Sequence, residues 1–67
     1  MKLYNVAIFS HHTGGVTQSQ HYTRDAKTAL ILAFEEKGIK LEDQPLDQLH
    51  DLIVDMGMVA DVAVLSS

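Results

Sequence analysis

The chain has 67 residues and a formal net charge of −4 at neutral pH, and it contains no cysteine. A chain this short forms one domain and buries only about 60% of the surface that its unfolded form exposes. Because it has no cysteine, it can form neither a disulfide framework nor a thiolate zinc site. Its longest apolar run, ALILAF at residues 29–34, is far below the roughly 20 residues that span a bilayer. We therefore expect a small cytoplasmic domain.

The charge is divided unevenly along the chain. Residues 1–33 carry three basic and one acidic side chain, a net charge of +2, and residues 34–67 carry two basic and eight acidic side chains, a net charge of −6. An acidic half repels phosphate, so we expect no direct binding of nucleic acid. A charged partner is expected to be a protein with a basic surface.

The first predicted strand is Leu3–Ser10, LYNVAIFS. It is rich in β-branched and aromatic residues and is apolar at both parities, which is typical of a strand in the middle of a sheet. One face is predicted to carry Tyr4, Val6 and Ile8, and the other Leu3, Ala7 and Phe9.

The second predicted strand is Val16–Tyr22, VTQSQHY, which is polar and follows a glycine-containing turn. Its polarity places it at an edge of the sheet with one face in water. The register against the first strand stays open by at least one residue, with His21 near Asn5 or Val6. That register determines whether His21 faces the core.

The first predicted helix lies within Thr23–Ile39, the only run that combines a start signal, an apolar stripe and a stop signal. Either Thr23 or Asp25 can cap its first turn. Gly38 is predicted to follow the C-terminal cap in a left-handed conformation, which lets Ile39 fold back on Phe34. The apolar and aliphatic positions recur at steps of three and four: Ala26, Leu30, Ala33, Phe34 and Lys37.

The second predicted helix starts at Asp43 or Gln44 with Pro45, and Gly57 ends it. Val59–Leu65 then forms a third strand, which is apolar at both parities and is placed beside the first strand. The apolar stripe of this helix comprises Leu46, Leu49, Leu52, Ile53 and Met56.

These elements predict an α+β fold of two layers. The order is ββααβ, and the three-stranded sheet has the order 2-1-3 with an antiparallel helical hairpin on one face. In this arrangement the third strand runs parallel to the first. Pairing of the third strand with the second is the alternative.

The second helix carries Asp47, Asp51 and Asp55 at i, i+4 and i+8 on its polar side. Like charges at this spacing weaken a helix by about 0.2–0.5 kcal/mol per pair, and aspartate is a poor helix former. Local rules thus disfavour these three aspartates, which we call the acidic row, and their presence points to a function. We predict that the acidic row, together with Glu42 and Asp43, forms a docking face for a basic protein surface. The alternative interpretation is a solvated face that keeps a small protein in solution.

The sheet face away from the helices offers a second candidate surface. Leu3, Ala7 and Phe9 could leave an apolar patch there, with Val16 or Tyr22 beside it. This face predicts either a homodimer without catalytic activity or the binding of a target protein.

We expect neither a cofactor, a metal nor catalysis, and a histidine metal-binding protein is kept only as a remote alternative. His11 and His12 lie at the turn, several residues along the strand from His21, and are too far from it to share an ion. Ser10, Ser19, His21 and Asp25 include the residue types of a nucleophile, a base and an orienting acid, but no G-x-S-x-G motif accompanies them. A domain of this size also has little room for a pocket of about 300 Å³.

The passage HYTRDAKTALILAFEEKG, a polar strand that runs into a D-A-x-x-A-L helix entry, resembles small bacteriophage accessory proteins that inhibit host enzymes or defence systems. The resemblance covers the middle of the chain and its element order. It implies a protein that occludes a host target, and it assigns no individual functional residue. Together with the acidic row, it predicts a phage-type inhibitor of a protein with a basic surface.

Overall fold

The computed structural model of the protein describes residues 1–66 as an α+β fold with one three-stranded sheet. Both the predicted order of elements and the sheet order 2-1-3 are confirmed. The elements are β1 (Lys2–Ser10), β2 (Val16–Thr23), α1 (Ala26–Glu36), α2 (Leu46–Asp55) and β3 (Met58–Ser66).

The central strand β1 separates a buried face, which carries Tyr4, Val6 and Ile8, from an outer face, which carries Leu3, Ala7 and Phe9, as the sequence predicted. Both helices pack on the buried face, and the fully buried side chains of Phe34, Leu30, Leu49 and Ile53 meet Val6 there. Burial of large aliphatic and aromatic side chains contributes about 1.5–3 kcal/mol each. The core also includes Tyr4, Ile8, Ala29, Ala33, Leu41 and Ala60.

The helix α1 begins and ends by the local rules that the sequence showed. Asp25 is its N-cap and accepts a 2.8 Å hydrogen bond from the Thr28 amide, while the Thr23 hydroxyl donates to the carbonyl oxygen of Asp25. Hydrogen bonds from Thr28 hold the pKa of Asp25 below its ordinary value. At the other end Gly38 has φ +81°, and the Ile39 amide donates to the Phe34 carbonyl oxygen.

The predicted antiparallel helical hairpin is wrong, because both helices run in the same direction. Asp43 lies 2.6 Å from Lys27, in the first turn of α1, so α2 begins at the same end of the molecule as α1. The far end of α2 adjoins the β1–β2 turn, where the His11 amide donates to the Gly57 carbonyl oxygen (2.9 Å). Residues 37–45 therefore form a return segment along the molecule instead of a tight turn.

The direction of β3 is also corrected, since β3 runs antiparallel to β1. Val62 lies opposite Val6 and Met58 opposite Ser10. The reason follows from α2, which delivers the chain to the end of the sheet next to the β1–β2 turn. From there the chain can only run back along β1.

The register between β1 and β2 places His21 opposite Tyr4, one position beyond the predicted partners. Because directly opposed residues of an antiparallel pair share a face, the imidazole lies on the helix side of the sheet. The side chain of His21 is only 9% exposed. Ser19, two residues earlier, lies on the same face.

Candidate functional site

The acidic row of α2 lies in water. Asp47, Asp51 and Asp55 are exposed, on the side of the helix opposite the buried Leu49 and Ile53. Successive members are one helical turn apart, so the row extends over about 12 Å. The structure thus presents three carboxylates in a line on one rigid element.

The three aspartates differ in their local electrostatics. Asp47 lies in the first turn of α2, where the helix dipole favours an anion, and its carboxylate accepts a 3.0 Å hydrogen bond from the Gln48 amide. Asp55 is the last residue of the helix, at the unfavourable end of the dipole. Within residues 1–66 none of the three forms an ion pair. The row therefore keeps its negative potential.

The loop residues predicted to extend the row are used unequally. Glu42 and Asp43 are both exposed just before α2. The Asp43 carboxylate lies 2.6 Å from the Lys27 ammonium group, and this hydrogen bond raises the pKa of Lys27. Asp43 already has a cation beside it, whereas Glu42 has none within the described residues.

The outer face of the sheet holds Leu3, Ala7 and Phe9, all half-buried, on β1. Their neighbours on β2 divide this face into two apolar ends with a polar middle. Exposed Tyr22 lies opposite Leu3, and exposed Val16 lies opposite Phe9. The middle holds Ala7 between Gln18 and Asp61, and Asn5, whose amide donates to Gln18 (3.4 Å).

A cluster of Ser19 and His21, both named from the sequence, with Glu36, which the sequence did not indicate, lies where the end of α1 meets β2. The Ser19 hydroxyl lies 2.9 Å from Nε2 of His21, and a carboxylate oxygen of Glu36 lies 3.5 Å from the same nitrogen. Asp25 caps α1 and takes no part. Only the docking of the helix on the strand could reveal Glu36, because no local signal relates residues 15 positions apart.

This cluster does not have the geometry of a catalytic triad. In a triad the nucleophile and the orienting acid bind opposite nitrogens of the imidazole. Here Ser19 and Glu36 approach the same nitrogen of His21, so the imidazole cannot carry a proton from one to the other. The arrangement instead satisfies a largely buried histidine.

Two surface grooves flank α1, although the sequence predicted little room for them. One, of about 310 Å³, is lined by His21, Leu32, Glu35 and Glu36. The other, of about 380 Å³, lies at the start of α1 around Lys27 and Asp43. The first groove has the carboxylates of Glu35 and Glu36 on its walls, whereas the second is lined by two basic residues, Arg24 and Lys27, and two acidic residues, Asp25 and Asp43.

Within residues 1–66, no three histidine, cysteine or acidic side chains are grouped so that they could hold a metal ion. None of the helices in this part of the chain is long and apolar enough to cross a membrane. No protein-family model matches the chain, and no match was found among curated proteins or solved structures.

Proposed function

We propose that this protein is a small acidic interaction module that docks the α2 aspartates on a basic surface of a partner protein and occludes it. The observation that carries the proposal is the exposed row of Asp47, Asp51 and Asp55, which has no internal cation among residues 1–66. Glu42 continues the row from the preceding loop. The resemblance of residues 21–38 to phage accessory proteins supports a host protein as the target.

The energetics of the row favour a role in recognition. Like charges one helical turn apart destabilise a helix by about 0.2–0.5 kcal/mol per pair, and a basic partner removes that repulsion on binding. Charge complementarity of this kind raises the association rate and excludes partners of the wrong sign. Repulsion among the three aspartates thus destabilises the free protein, and binding of a basic partner offsets this loss of stability.

The test is capture from host lysate on the immobilised chain, followed by a measurement of Kd with the purified captured protein. Replacing Asp47, Asp51 and Asp55 by asparagine should weaken binding about tenfold or more, because three exposed attractions are lost. Raising the ionic strength should weaken binding by the wild type as well, since screening acts over about 8–10 Å near physiological salt.

The matched control removes three other exposed charges: Glu35→Gln, Glu36→Gln and Asp61→Asn. This variant has the same net charge as the triple asparagine variant, so it separates a specific docking face from general acidity. Equal weakening by both variants, or none by either, would refute the assignment of the site to α2.

A further inference from the structure

The strand β3 forms one edge of the sheet, and within residues 1–66 no other strand pairs with its free side. Natural edge strands avoid pairing with other chains through charged side chains, especially lysine, and through proline, β-bulges or short length. β3 has nine residues, MVADVAVLS, with neither lysine nor proline; its single charged side chain is Asp61, and its one irregularity against β1 lies near its end, at Leu65. The opposite edge, β2, is polar over most of its length. The free side of β3 is therefore the better template for an added strand.

The sequence of β3 is complementary to itself in one antiparallel register. When Val62 is placed opposite Val62 of a second copy, Asp61 lies opposite Ala63, and Ala60 lies opposite Val64. Residues 58–64 of each copy then lie opposite residues 60–66 of the other, and the only charged side chain of the strand faces an alanine. A register centred on Asp61 would instead place two carboxylates directly opposite each other, which is destabilising.

We propose that two copies of this chain pair antiparallel along β3 in the register centred on Val62, which joins their sheets into one of six strands. The inference does not depend on the proposed docking of a basic partner. Val59, Val64 and Leu65 are 49%, 52% and 50% exposed, so the edge offers apolar surface as well as main-chain hydrogen-bonding groups.

The register shift between β1 and β3 lies at Leu3 and Tyr4, opposite Leu65. It falls outside the central residues 60–64, so it leaves the middle of the proposed pair regular. A strand pair of this length buries roughly 1,000 Å² in total, at the lower limit for a stable interface. We therefore expect a dissociation constant in the micromolar range.

Pairing about a twofold axis perpendicular to the sheet keeps the same face of both sheets on one side, so both α2 helices, which pack on β3, lie on that side. Each copy carries a net charge of −4, so repulsion opposes the association. Salt screens this repulsion. Raising the salt concentration should thus tighten the dimer, whereas it should weaken capture of a basic partner. The two proposals consequently give opposite salt responses and can fail separately.

Substitutions at Ala63 test the proposed register directly, with the dimer affinity measured by sedimentation equilibrium at chain concentrations from about 1 µM to 1 mM. A63D places a second carboxylate opposite Asp61 of the other copy, at two symmetric sites, and should weaken the dimer roughly tenfold. A63K at the same exposed position places a cation there and should tighten it. The double variant D61K/A63D restores opposite charges and should recover the affinity of the wild type or exceed it.

Hydrogen exchange locates the contact within the dimer. On raising the concentration, the amides on the free side of β3 should exchange more slowly, while those of β2 stay unchanged. A mass of 7.4 kDa at every concentration for wild type and A63K would overturn the proposal. So would a dimer that responds to Phe9→Asp and not to the charge pattern at Asp61 and Ala63, because that result would assign the contact to the outer face of the sheet.

Discussion

The Lys27 ammonium nitrogen lies 2.6 Å from a carboxylate oxygen of Asp43, which shows where residues 37–45 go after α1. The segment returns to the start of the helix, and Leu41 is buried in the core on the way. Two of the interactions that hold the return segment differ in kind, since one is exposed and ionic and the other is buried and apolar. Their contributions to stability should differ greatly.

We expect the buried contact to dominate. Leu41→Ala should lower the free energy of unfolding by about 2–5 kcal/mol, since it removes buried methyl groups and leaves a cavity. Lys27→Met should have little effect, because exposed ion pairs are screened by solvent. Urea titration followed by circular dichroism measures both. Leu41→Met, which conserves volume, should cost less than about 1.5 kcal/mol and shows that burial is the cause. A larger loss for Lys27→Met than for Leu41→Ala would contradict this ranking.

The cap at Asp25 should make stability depend on acid. Its pKa is lowered in the folded state, so its contribution is fully present above the unfolded pKa, near 3.8, and is lost as the pH falls through the folded value. Asp25→Ala should lower the melting temperature by about 5 °C at pH 7. Asp25→Asn keeps a capping oxygen without the charge, so it should be stable at pH 7. Below pH 4 it should lose less stability than the wild type.

Gly57 and Gly38 form a matched pair, since both have positive φ angles, of +77° and +81°. Alanine in this conformation costs about 1–2 kcal/mol at either position. A Cβ atom at Gly57 would also lie 2.6 Å from Nε2 of His12, whereas the space around Gly38 is open within 4 Å. Gly57→Ala should therefore destabilise the protein more than Gly38→Ala, as measured by thermal unfolding.

The additional destabilisation caused by Gly57→Ala, relative to Gly38→Ala, should stay below about 1 kcal/mol, because the exposed His12 ring can rotate away. It should disappear when Gly57→Ala is made in a His12→Ala background. Persistence of the excess in that background would show that His12 is not its source.

The two partners of His21 should contribute unequally. The Ser19 hydroxyl lies at 2.9 Å from the largely buried imidazole, whereas Glu36 is mostly exposed and lies at 3.5 Å. Ser19→Ala should cost about 1–3 kcal/mol, since it removes the closer hydrogen-bond partner of a buried nitrogen. Glu36→Gln should leave the urea midpoint almost unchanged. Equal losses for the two variants would mean that the carboxylate supports the imidazole as strongly as the hydroxyl does.

Local rules were sufficient for the elements themselves. The capping oxygen of Asp25, the positive φ of Gly38 and the alternation along β1 act within a few residues, so the sequence determined where strands and helices form. The same helical spacing determined that Asp47, Asp51 and Asp55 share one face opposite the core. These features depend on backbone geometry and periodicity, both of which can be read without knowing where the chain goes next.

Only the tertiary structure decided the directions of α2 and β3, and with them the contact between Glu36 and His21. The nine residues of segment 37–45 can reach about 30 Å when extended, well beyond the roughly 16 Å length of α1. They could therefore form either a turn or a return segment. Burial of Leu41 and the pairing of Lys27 with Asp43 favour the return, and these are contacts between parts of the chain that no local rule relates.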